Sequence, residues 1–187
     1  MKKIILVLAA ASLAIFSTQA FAKEPKFILL ISEQNIEGPQ RAWWASEIDL
    51  SATENNLAEK LTAHGFTIIE PSKLTKKIKK EKAFRMVDLS DEKAIDLGNL
   101  SSADYVIMGK AIASSGGNVP QSTLISCFAN ITAKIIRVKD GESIAYLDAS
   151  GNSAHMDKVS GGTEALRSAS TDLAVKIINA LNKEGGN

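Results

Sequence analysis

The chain has 187 residues, with 22 Lys and Arg against 21 Asp and Glu, one cysteine, and 45% hydrophobic residues. That length suits one domain, the near-neutral charge argues against a dedicated nucleic-acid binder, and a lone cysteine excludes an intramolecular disulfide or a multi-cysteine metal cluster. A charged fraction of 23% beside that hydrophobic content also excludes wholesale disorder.

Residues 1–22 stand apart from the rest. Met1, Lys2 and Lys3 precede an apolar run from Ile4 to Phe16, broken only by Ser12, and the segment ends in Ala20-Phe21-Ala22. A positive start, a short apolar stretch and a small-x-small end describe a secretory signal peptide. The run is too short for a retained anchor, which needs about 20 residues, and Lys23 is not the cysteine that lipid anchoring requires. Cleavage after Ala22 is expected, leaving residues 23–187 as a single periplasmic α/β domain. Loss of Lys2 and Lys3 leaves 20 basic residues against 21 acidic ones.

Phe27 to Ile31 reads as a buried central strand, because all five residues are apolar. Ser51-x-x-Glu54 is a capping box, with Leu57 and Leu61 continuing a helical stripe until Gly65. Phe66 to Ile69 is a short strand ended by Pro71. Ser72 caps a Lys-rich helix through about Phe84, and Ser90, followed by Asp91 and Glu92, caps another. Tyr105 to Met108, within Ala103 to Ala113, is a strand, and Ser114 to Pro120 reads as a turn. From Ile125, alternation places Cys127, Ala129, Ile131, Ala133 and Ile135 on one face and Ser126, Asn130, Thr132 and Lys134 on the other. Asp140-Gly141 marks a tight hairpin, Ser143 to Asp148 returns as its partner, and Thr163 to Lys183 closes with a helix. The expected fold is α/β: one layered domain whose mixed sheet of about five strands carries packed helices, in the order β-α-β-α-α-β-β-β-α.

Catalytic motifs are thin. Ser90-Asp91-Glu92-Lys93 matches Ser-x-x-Lys without its companion motifs, and a helix cap explains Ser90. The glycines at 116–117 and 161–162 lack the Lys-Ser/Thr of a P-loop. His64, His155 and Cys127 are scattered, so neither a metal site nor a catalytic triad is expected, and no cofactor is implied. Two features point to contact instead. Trp43 and Trp44 are adjacent in a loop; in an extended segment they point opposite ways, so one is expected to cover the sheet edge while the other either packs as well or is exposed as an interface anchor. Lys76, Lys77, Lys79 and Lys80 belong to six lysines in ten residues, a solvated helix face or a contact for anionic envelope polymer.

From Ser51 onward the chain resembles a periplasmic α/β family. It includes the amino-terminal domain of the Tol translocation protein B, a domain of the flagellar T protein, and the curli secretion lipoprotein. The resemblance rests on Glu54-x-x-Leu57-x-x-x-Leu61-x-x-x-Gly65-Phe66, on Ala103-Asp104-Tyr105-Val106-Ile107-Met108-Gly109, and on Arg137-Val138-x-Asp140-Gly141-Glu142. It implies a binding or assembly module of the envelope without enzymatic activity. Curli-type membrane hairpins do not fit the turns at 114–121 and 140–141, so a soluble accessory protein of a flagellar or secretion-type machine is the nearer match. Expected partners are envelope-complex subunits or a second copy, met through Trp43, Trp44 and an edge strand near Ile125 to Val138, with no nucleic acid and no membrane span. The alternative is a periplasmic small-ligand-binding protein or hydrolase using a pocket near Glu33 and Glu70, at the carboxyl ends of the first two strands. Mass spectrometry of the exported protein should find Lys23 at the amino terminus; an intact Met1 would contradict the leader.

Overall fold

The computed structural model describes residues 24–45, 50–70, 74 and 86–185. Residues 1–22, expected to be a signal peptide, and the Lys-rich segment with Lys76, Lys77, Lys79 and Lys80 lie outside these. The elements are β1 (Lys26–Gln34), α1 (Ala52–Ala63), β2 (Thr67–Ile68), α2 (Asp91–Ser101), β3 (Tyr105–Asn118), β4 (Ile125–Arg137), β5 (Ser143–His155) and α3 (Lys158–Gly185). They form one five-stranded sheet in the order β2-β1-β3-β4-β5. β1 runs parallel to β2 and β3, and β3, β4 and β5 form an antiparallel meander.

The apolar run of β1 is buried on both faces, as a parallel central strand should be. Phe27, Leu29 and Ile31 join a core with α1, α3 and the alternating residues of β4, Cys127 among them. Ile28 and Leu30 face a second core built from Trp43, Trp44, Leu89, Leu97 and Val106. The capping box of α1 is formed on both sides, and Gly65 ends the helix region at φ +87°. Ser90 caps α2 by accepting from the backbone N–H of Lys93 at 3.4 Å.

β4 is not an edge strand. It pairs along its length with β3 and with β5, so its backbone is unavailable to a partner. The meander is also longer than expected. Ser114 to Asn118, which reads as a turn, continues β3 with a register slip between Ser115 and Gly117; Ser150 to His155 continues β5. Gly, Ser and Asn are poor strand formers, yet pairing with the strongly alternating β4 holds them extended.

Two glycines in this region admit close packing. A Cβ on Gly151 would collide with the backbone of Ala165 and Ala169, and one on Gly161 would sit 2.6 Å from Cys127 Sγ. α3 therefore lies directly on β4 and β5. It begins at Lys158, five residues before the expected start, because Asp157 Oδ1 accepts from Ser160 N at 2.7 Å and caps it. Asn56 joins α1 to α3 by donating to Ser170 Oγ at 2.7 Å. At the far end, Gly141 (φ +74°) closes the β4–β5 turn. There the Arg137 guanidinium lies against Asp140 at 3.2 Å, Glu142 at 2.8 Å and, on α3, Glu184 at 3.2 Å. Gly151→Ala should cost about 2 kcal/mol or more, read as a lower urea midpoint at unchanged slope; an unchanged midpoint would contradict this packing.

Candidate functional site

β2 pairs with only the first residues of β1, through Lys26↔Thr67 and Phe27↔Ile68. Backbone groups of alternate residues in a strand point to the same side, so Leu29, Ile31 and Glu33 present theirs to a margin that no strand covers. Each finds another partner. Trp43 Nε1 donates to Leu29 O at 2.9 Å, Ile31 N donates to Glu54 Oε1 at 2.9 Å, and Glu33 exchanges two bonds with Arg41 at 2.7 and 2.8 Å. This arrangement decides where the tryptophans and carboxylates go.

Both tryptophans are buried in one cluster, which agrees with the packing reading and corrects the alternative of an exposed anchor. The reason is local: residues 43–45 form a turn, not an extended segment. The rings meet edge to face with centroids 6.0 Å apart, and Trp44 Nε1 donates to Met86 O at 3.0 Å.

The carboxylates near the end of β1 are Glu33 and Glu54. Glu70 is exposed beyond β2, which ends level with Phe27, so it does not join Glu33. Glu33 Oε2 accepts from Thr53 N at 2.7 Å, at the start of α1. Glu54 is fully buried; its oxygens accept from Ile31 N and, at 3.1 Å, from Ser51 N. The sequence marks Glu54 only as a cap, although it precedes Leu57 and Leu61 by three and seven residues and so lies on the apolar stripe. Burial raises its pKa from 4.5 to about 8, against the lowering effect of the hydrogen bonds from Ile31 and Ser51 and with a further push from the Glu33 charge. Beside these residues a polar cavity of about 570 Å³ is lined by Glu33, Glu37, Arg41, Ser51 and Thr163.

The other feature is a bare sheet face. α1 and α3 cover one side of the sheet. On the opposite side, α2 and the tryptophan turn cover β1 and the start of β3, and the described residues leave the rest of β3, β4 and β5 open. Pairing arranges this face in cross-strand rows: Met108–Lys134–Tyr146, Lys110–Thr132–Asp148, Ile112–Asn130–Ser150, Ser114–Phe128–Asn152 and Gly117–Ser126–Ala154. The charges lie in the first two rows, where Lys110 pairs with Asp88 at 2.9 Å and Lys134 with Asp91. The last three rows carry none. Ile112 is 49% exposed, Phe128 43% and Tyr146 74%. The Cε2 edge of the Phe128 ring occupies the space a Cβ on Gly116 would need.

Where the face meets the tryptophan turn there is a groove of about 410 Å³, lined by Trp44, Leu89, Met108, Lys110, Lys134 and Tyr146. Trp44 thus contributes to a concave surface while its own exposure is only 5%. Ile112, Phe128 and Tyr146 lie within strands that the sequence predicts, but a strand pattern alone does not show that the described residues leave their side of the sheet open. Cys127 is buried, and His64 and His155 sit at opposite ends of the fold, at the close of α1 and of β5. Among the described residues no group of three or more His, Cys, Asp or Glu is placed to hold a metal ion, and no helix is long and apolar enough to cross a membrane.

Solved structures similar to this chain include the lipoprotein GNA1162 from Neisseria meningitidis, at 12% identity over 85% of this chain and 99% of that one, with a TM-score of 0.46. The C-terminal domain of LpoB from Escherichia coli is similar at 18% identity over 67% and 81%, with a TM-score of 0.44. PelC from Paraburkholderia phytofirmans, solved as a dodecamer, is similar at 15% identity over 84% and 86%, with a TM-score of 0.41. No protein-family model and no curated protein matches the chain. These are distant likenesses of fold; the architecture itself rests on the strand pairing.

Because the fold raises the Glu54 pKa from 4.5 to about 8, the folded protein holds that proton more tightly than the unfolded chain does. Its contribution to stability is complete below about pH 4.5 and fades as the pH rises through about 8. Urea unfolding should therefore show wild type losing stability from about pH 5 to about pH 8. Glu54→Gln should be less stable at the acid end, with a flatter profile; equal slopes would remove Glu54 as the cause.

Proposed function

We propose that this chain is a non-catalytic binding or assembly accessory protein of the bacterial envelope, exported to the periplasm by residues 1–22. The observation that carries the reading is the bare face of β3, β4 and β5. A sheet packed by helices on one side ordinarily gives its solvent side to charged residues, but three rows of this face have none and instead expose Ile112 and Phe128. The groove beside Trp44 adds a concave border. Exposed apolar and aromatic side chains within a polar surround suit contact with a partner.

The motifs at Ala103–Gly109 and Arg137–Glu142 support membership of a flagellar or secretion-type machine, through their resemblance to the envelope family. In this reading Trp44 forms a wall of the contact surface, and Trp43 holds the turn by its bond to Leu29. The proposal keeps Lys76, Lys77, Lys79 and Lys80 as a contact for anionic envelope polymer, since clustered lysines attract polyanions at low salt. A second reading, small-ligand binding beside Glu33, is favoured by the 570 Å³ cavity; a metabolite retained in native mass spectrometry would support it.

Photo-crosslinking amino acids at Ile112, Phe128 and Tyr146 should give covalent adducts in cells. The same probe at Val175, 54% exposed on the α3 side, should give none. A folded, exported protein without adducts at the three face positions would overturn the proposal.

A further inference from the structure

We propose that the three uncharged rows of this face bind an uncharged glycan chain laid across β3, β4 and β5. The inference rests on the binding-module reading and names its ligand. Three observations converge.

First, the rows Ile112–Asn130–Ser150, Ser114–Phe128–Asn152 and Gly117–Ser126–Ala154 contain no ionisable side chain. Polyanion recognition needs basic groups, and the nearest lysines on the face, Lys110 and Lys134, are each paired with an aspartate. The chemical complement of these rows is a neutral chain.

Second, Asn130, Asn152, Ser114 and Ser150 are exposed. Together they supply amide donors, carbonyl acceptors and hydroxyls, which can each donate and accept. A dry protein partner or a second copy stacked face to face would bury these groups, and each left unpaired costs free energy. A polyhydroxylated ligand pairs with them directly or through water.

Third, Phe128 occupies the centre of the middle row, and the Cε2 edge of its ring fills the space that a Cβ on Gly116 would need. The edge of the ring is seated against the glycine, while the residue remains 43% exposed. An exposed aromatic ring offers a stacking surface to a flat apolar ligand surface, and the C–H face of a pyranose is one. Ile112, one row away on the neighbouring strand, extends the apolar strip, so that apolar contact lies among hydrogen-bonding groups.

The test uses the mature chain, residues 23–187, with two neutral probes: the β-1,4-linked hexamers of glucose and of N-acetylglucosamine, titrated by amide-resolved NMR. At least one should shift the signals of Ile112, Phe128, Asn130, Ser150 and Asn152 with saturation. Phe128→Ala should weaken binding by about tenfold, Phe128→Tyr should retain it, and Asn152→Ala should weaken it without touching the ring. The inference is overturned if neither hexamer shifts these signals at about 5 mM, where a millimolar ligand would be mostly bound. It also fails if the shifts lie elsewhere, or if folded Phe128→Ala binds as wild type does. Sedimentation should show a monomer; a dimer dissolved by Phe128→Ala would assign the face to self-association. Protein adducts from the photo-crosslinking probes without hexamer binding would leave the binding-module reading standing and remove the glycan.

Discussion

The structure depends on how β1 satisfies its uncovered margin. A central strand buried on both faces has no water for its backbone groups, and each one left unpaired costs free energy. β2 is only two residues long, so the obligation passes to side chains and to a distant backbone segment: the Trp43 indole, the Glu54 carboxylate, and Arg41. These partners come from the two sides of the sheet. Trp43 belongs to the core shared with α2, and Glu54 to the helix that packs on the core shared with α3. One row of hydrogen bonds thereby locks both layers to the same strand. Glu54 also caps α1, so the helix start and the strand margin are fixed by a single carboxyl group. Its burial is tolerated because its oxygens are engaged, and the raised pKa records the remaining cost of charge there.

This anchoring explains the asymmetry of the sheet. The tryptophan turn must stay beside Leu29 and Leu30, and α2 packs next to it, so among the described residues cover on that side ends near Met108. On the other side the 28-residue α3 lies directly against β4 and β5, because Gly151 and Gly161 allow close approach. The long antiparallel strands are thus held firmly by one layer and left bare by the other. A surface ligand meets a face whose backbone geometry is already fixed, which lowers the ordering cost of binding. Neither the tryptophans nor the buried carboxylates need touch a partner for this; they determine where the cover stops.

Much of the fold was legible because its strongest patterns coincide with its most buried elements. The apolar run of β1, the alternation of β4, the Ser51–Glu54 capping box and the Asp140-Gly141 turn all describe local structure that packing then reinforces. The failures share a different origin. An extended backbone would send Trp43 and Trp44 in opposite directions, whereas a turn brings both rings to one core. Ser114–Asn118 and Ser150–His155 have turn composition, but cross-strand pairing outweighs their weak propensity. Without those residues Phe128 and Ser126 lack their cross-strand partners, and the far rows of the face do not form. Glu54 was visible at helical spacing from Leu57 and Leu61; what one chain cannot display is that the stripe it shares faces the open margin of a strand.

The same geometry separates two ways in which a sheet can attract a partner. Edge strands do so through backbone, with little choice of sequence, and this is the usual route to unwanted association. In this fold the outer edge at β5 is restrained: Lys176 Nζ donates to Asp148 O at 2.7 Å while pairing with Asp172, placing a hydrated charge where an added strand would have to lie. The β1 margin is closed by Trp43, Glu54 and Arg41. With the β1 margin closed and β4 paired on both sides, the exposed Ile112 and Phe128 recruit a partner through side chains, and Asn130, Ser150 and Asn152 around them set the polarity that partner must match. Selectivity on this face is therefore a matter of uncharged hydrogen bonding around an aromatic centre, and a ligand lacking hydroxyl or amide groups would leave that ring of polar groups unanswered.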